Sequence, residues 1–155
     1  FQLLGGRITY VPMDEFAEDM RTDLRGSDLS LANGKSGVVG PRQGFECHYD
    51  LQIIIDRRSG AVSQVNGAFH FIPVGVLAGE PVDRALGPQS EFRRALARHS
   101  PHDTTVTLWT YPDSFAVFQQ LKEELHKMGY ATAGRPMFEG SFIGGSSNGS
   151  RSSAE

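Results

Sequence analysis

The stretch FECHYDLQIIID at 45–56, followed by RRSG at 57–60 and AVSQVNGAFHFIPV at 61–74, carries the clearest fold signal in the chain. Successive side chains of a strand point to opposite faces. Phe45, Cys47, Tyr49, Leu51, Ile53 and Ile55 therefore share one face, and Glu46, His48, Asp50, Gln52 and Asp56 the other. Only Ile54 breaks the alternation. Arg58-Ser59-Gly60 suits a three-residue hairpin loop with glycine in the left-handed position. Folding back through 61–74 sets Cys47 against Phe71, Tyr49 against Phe69 and Ile53 against Val65, and on the other face His48 beside His70, Gln52 beside Asn66 and Asp50 beside Ala68. A slip of one residue would scramble both faces, so the register is strongly specified.

Towards the N-terminus, Arg7 to Val11 reads as a short strand. Pro12 then opens a helix whose Met13, Phe16, Ala17, Met20 and Leu24 recur at helical spacing, with Asp14, Glu15 and Glu18 at its positive end and Gly26 at its stop. Residues 27–44 hold four glycines and little periodicity, and they are expected to form a long loop suited to a lid or flexible insert. Towards the C-terminus, a Gly/Pro-punctuated connection leads to a helix capped by Ser90 and carrying Phe92, Ala95, Leu96 and His99. Thr104 to Tyr111 is a strand. Pro112-Asp113-Ser114 starts the strongest helix, with Phe115, Phe118, Leu121, Leu125 and Met128 as its stripe and Gly129 as its end, and Tyr130 to Met137 returns as a last strand.

The order β-α-β-β-α-β-α-β predicts an α+β fold, a two-layer α/β sandwich in which a mixed sheet of about five strands carries three helices on one face. Residues 1–137 are read as one domain and 138–155 as a Gly/Ser-rich tail. Phe138, Phe142 and Ile143 are expected to dock that tail on the domain or on a neighbouring chain, with Arg151 pinning its end.

Composition narrows the function. The chain has 155 residues and a net charge of −3 without long like-charge runs, which offers no footprint for nucleic acid or an anionic membrane. No apolar stretch approaches the roughly 20 residues of a membrane span, so a soluble protein is expected. A start at Phe1, with no basic and apolar leader pattern, is expected of an excised or processed fragment. The single Cys47 reads as a buried small hydrophobe and is compatible with either the bacterial cytoplasm or an envelope compartment.

The C-terminal sequence carries YPDSF at 111–115 and IGGSSNGSRS at 143–152, preceded by GEPVDRALGPQSEFRRAL at 79–96 and VVGPRQGFECHYDL at 38–51. In these motifs, from Gly5 onward, the chain resembles the C-terminal domain of an uncharacterised planctomycete-type bacterial protein family, a resemblance that implies no catalytic residue. The strand-Pro-Asp-helix-Gly-strand run over Val106 to Arg135 is similar at fold level to ExbD/TolR-like domains, which serve envelope energy-transducing complexes.

Two chemistries compete for the polar strand face. Glu46, His48, Asp50 and His70 are chemically able to bind a divalent metal and would then serve a small hydrolase or metal-dependent enzyme. The plainer account is a solvated strand face whose alternation demands polar residues. His99, His102 and Asp103 around Pro101 are explained as simply by a helix end and loop. Gly144 to Ser150 lacks the lysine of a phosphate-binding loop, and no G-x-S-x-G elbow occurs. Trp109 and Tyr111 are expected beside His48 and His70 on an open aromatic and polar face, with Arg135 and Arg151 able to hold an acidic partner. These features predict a non-catalytic binding or assembly module that needs no cofactor and engages a protein partner or a second copy of itself rather than a small molecule.

Overall fold

The computed structural model describes residues 1–26, 34–56, 58–75 and 79–146. In chain order its elements are β1 (Gln2–Leu4), β2 (Arg7–Thr9), α1 (Met13–Arg25), β3 (Gly34–Arg42), β4 (Phe45–Ile55), β5 (Val62–Pro73), β6 (Glu80–Pro81), α2 (Val82–Ala85), α3 (Glu91–Leu96), β7 (Thr105–Thr110), α4 (Phe115–Lys127), β8 (Ala131–Pro136) and β9 (Ile143–Ser146). Short 3-10 turns at Pro101–Asp103 and Pro112–Ser114 precede β7 and α4. The chain is α+β. Its strands fall into two sheets, and the residues cluster into two units.

The first unit takes Phe1–Val11 and the described residues from Gly79 to Ser141. Its mixed five-stranded sheet has the order β6-β2-β1-β7-β8. Gly5 and Gly6, both at positive φ, make the two-residue turn between antiparallel β1 and β2, where the strand twist calls for a conformation that glycine adopts without a Cβ penalty. β1 lies parallel to β7, and β7 is linked to parallel β8 by the α4 crossover that a parallel pair requires. Leu3, Ile8, Val106 and Leu108 meet Val82, Phe92, Leu121 and Leu125 in one core, which places α2, α3 and α4 on the same face. Ser90 caps α3 as read from sequence, its Oγ accepting from the Arg93 N–H at 3.1 Å. The α4 stripe is narrower than predicted: Leu121 and Leu125 are buried, whereas Phe115 is exposed.

The second unit takes Pro12–Gly75 and continues from Phe142. Its antiparallel sheet has the order β3-β4-β5-β9, and α1 packs on it. The rings of Phe16 in α1 and Phe71 in β5 lie 5.1 Å apart, and Phe45, Cys47, Tyr49 and Ile143 are buried with them. Arg42 reaches Asp19 at 2.7 Å, while the Tyr49 hydroxyl donates to Asp23. The predicted hairpin register is observed at every pair, Cys47 with Phe71 and His48 with His70 included. Beside the turn a bulge shifts the register by one, and Gly60 takes the left-handed conformation at φ +69°.

Three expectations are corrected. The 45–73 hairpin does not join the sheet of β7 and β8, because β3 and β9 occupy both of its edges. The segment read as a loop at 27–44 contains β3: hydrogen bonding to β4 outweighs the low strand preference of its glycines. Residues 27–33 lie outside the described residues. In the C-terminal segment β9 pairs with β5 and buries Ile143, but Phe138 is 87% exposed and Phe142 is exposed too. The strand ladder, with one apolar side chain, docks this segment instead of an apolar cluster. Arg151 lies outside the described residues.

Candidate functional site: an uncovered sheet face

With α1 on one side of the second unit's sheet, alternation sends every other side chain of β3, β4 and β5 to the opposite side. Val38, His48, His70 and Gly144 line up across all four strands, flanked by the row Ser36, Asp50, Ala68 and Ser146. Val38 is 55% and Ile54 45% exposed, and Asp50 and His70 are exposed as well. Ile54, the residue that broke the sequence alternation, is thus an aliphatic group on the uncovered face.

Local contacts hold the polar side chains in place. Glu46 Oε2 lies 3.5 Å from His48 Nε2, two residues along the same strand. Ser36 Oγ donates to Asp50 Oδ2 at 2.9 Å across the β3–β4 pair, and Gln64 Nε2 donates to Asn66 Oδ1 at 2.7 Å. His70 leans over β9, where a Cβ on Gly144 would come within 2.9 Å of its Cδ2. On the covered side a Cβ on Gly145 would come within 2.7 Å of Phe69 Cζ. The Gly-Gly pair of β9 therefore admits one ring on each face, the cross-strand arrangement in which an aromatic side chain covers a strand glycine.

The four carboxylate and imidazole groups predicted from sequence are brought onto one face, but they do not converge. Asp50 turns to Ser36, Glu46 pairs with His48, and His70 lies over Gly144. Among the described residues no three His, Cys, Asp or Glu side chains are placed to hold a metal ion. Cys47 lies on the covered face, where burial pushes its thiol up to about 11 and keeps it protonated, as befits a core residue.

Trp109 and Tyr111 do not share this face. They belong to β7 and the residue after it in the other sheet, and they are 8% and 4% exposed, so the expected open aromatic surface is absent there. The Tyr111 hydroxyl donates to the Ser141 carbonyl at 2.6 Å, and burial raises its pKa. Arg135 is half-buried on β8 opposite Trp109. His102 and Asp103 are exposed in the 3-10 turn, and the carbonyls of Leu96 and His99 accept from the Tyr130 hydroxyl at 2.9 and 3.0 Å.

Sequence reasoning missed a concave feature of the first unit. A groove of about 550 Å³ is lined by Arg7, Arg84 and Arg94 together with the Gly87–Glu91 connection. Its sequence signal is faint, because the three arginines are spread over 88 positions of the chain and meet only when β2 pairs with β6.

The chain matches none of the family models, curated proteins or solved structures with which it was compared.

Proposed function

We propose that this chain is a binding or assembly module without a reaction of its own, and that it engages a polypeptide, either a protein partner or a second copy, through the uncovered face of the β3-β4-β5-β9 sheet. One observation carries the reading: Val38 and Ile54 stand exposed among Glu46, His48, Asp50 and His70 on a four-stranded surface whose polar groups are spread out rather than gathered in a pocket. A catalytic site needs convergent groups around a reacting atom, whereas recognition of a polypeptide uses aliphatic anchors within a polar rim.

The test compares the wild type with a Val38→Glu, Ile54→Glu variant, whose fold is checked by circular dichroism. Sedimentation mass and proteins captured from the source cells are measured for both. The expected result is that self-association, or a specific captured protein, is seen with the wild type and lost in the variant. Equal masses together with identical capture would overturn the proposal.

A further inference from the structure

The first unit's groove contains unspent cationic hydrogen-bonding capacity, and it is independent of the sheet-face reading. Arg7 from β2 lies beside the Gly79 carbonyl, to which its Nη2 donates. That contact ties the guanidinium to the groove wall. Its Nε is buried and has no hydrogen-bond partner among the described residues. A buried guanidinium N–H without an acceptor is costly. Arg94 spends one weak contact, Nε to the Ser90 carbonyl at 3.4 Å. The Arg84 guanidinium makes no hydrogen bond or ion pair among the described residues.

The carboxylates of the groove are not paired with these groups among the described residues. Glu80 is buried, and its Oε1 accepts the Phe92 N–H at 2.7 Å, which commits it to the start of α3. Glu91 is exposed, and no ion pair among the described residues joins either carboxylate to the arginines. Each guanidinium presents five N–H donors in a planar fork that matches the oxygens of a phosphate or carboxylate. Three such forks around about 550 Å³ exceed what a lone inorganic ion fills, and Pro81, Pro88 and Gln89 line the remaining wall.

The geometry points to a site for an organic phosphate monoester, its dianionic head among Arg7, Arg84 and Arg94 and its organic part along the Pro81–Pro88 wall. The dianion favours phosphate over carboxylate, since the three arginines outnumber the two carboxylates of the lining, Glu80 and Glu91.

The experiment titrates the full chain with phenyl phosphate, with inorganic phosphate and with benzoate, following backbone amide shifts and heat. Phenyl phosphate is expected to bind with Kd in the range of about 1 mM or tighter, to shift the amides of Gly87, Gln89 and Glu91, and to weaken as salt is raised. The variant Arg84→Gln, Arg94→Gln changes two exposed side chains, and its fold is verified by its melting curve. Its affinity for phenyl phosphate should fall by about tenfold or more. Inorganic phosphate should bind more weakly than the ester. Benzoate binding as well as phenyl phosphate would overturn the phosphate assignment. Absence of shifts in the groove, or equal affinity of variant and wild type, would overturn the site.

Discussion

Gly144 shows how a single residue governs the candidate face. It lies opposite His70, and a Cβ there would sit 2.5 Å from the Phe69 carbonyl as well as against the His70 ring. The ring could swing aside, but the carbonyl belongs to the ladder and cannot move without pulling β9 from β5. Gly144→Ala is therefore expected to destabilise the protein by ~1–3 kcal/mol, the range for a forced backbone shift. The check is urea denaturation. A midpoint equal to that of the wild type would show that β9 does not approach β5 so closely. The same residue explains a limit of sequence reading, because the glycines at 144 and 145 look like loop composition until the rings of Phe69 and His70 are placed over them.

At the scale of elements, α1 is amphipathic for a reason its sequence states openly. Phe16 is its fully buried residue and meets Phe71 of β5, while Asp19 and Asp23 on its polar side anchor Arg42 and Lys35 of β3. Phe16→Ala removes the ring that faces the hairpin and leaves a cavity, for which a loss of ~3–5 kcal/mol is expected. Hydrogen exchange of β4 and β5 amides should accelerate. A loss below about 1 kcal/mol would mean that the helix is not the cover of this sheet face. The helix spacing and the hairpin register were both legible, because each depends on a periodicity contained within one segment or two adjacent ones. β3 was not, since its Gly34, Gly37 and Gly40 have no strand preference and become a strand only by pairing with β4.

Over the whole molecule, charge contacts make stability depend on pH in a defined direction. The Arg42 guanidinium holds the Asp19 carboxyl below its usual value of 3.8, Lys35 and then Tyr49 do so for Asp23, and the backbone N–H groups of Ser59 and Arg58 do so for Asp56 in the hairpin turn. Each folded-state pKa lies below the unfolded one, so the unfolded chain binds more protons near pH 4. The stabilisation is fully present above the unfolded pKa and is lost as pH falls through the lower folded values. The urea midpoint should therefore decline between roughly pH 5 and pH 3. In the variant Asp19→Asn, Asp56→Asn the protein should be less stable at neutral pH, with a flatter acid limb. An unchanged slope would show that these carboxylates are not the titrating anchors.

The sequence by itself determined the α+β class, the register of the 45–73 hairpin, the helices at 13–25 and 115–127, and the polar row of Glu46, His48, Asp50 and His70. Each follows from alternation or helical spacing within neighbouring residues, where the hydrophobic pattern alone selects the conformation. Only the tertiary structure decided that the strands form two sheets, that Trp109 and Tyr111 are buried in one sheet while the histidines face outward on the other, and that Arg7 meets Arg84 and Arg94. Strand partners are chosen among distant segments by hydrogen bonding and shared burial. No local period encodes that β1 pairs with β7 across more than a hundred residues, as the contact of Leu3 with Tyr111 at |i−j| of 108 attests, their backbone N–H and carbonyl meeting at 3.0 Å.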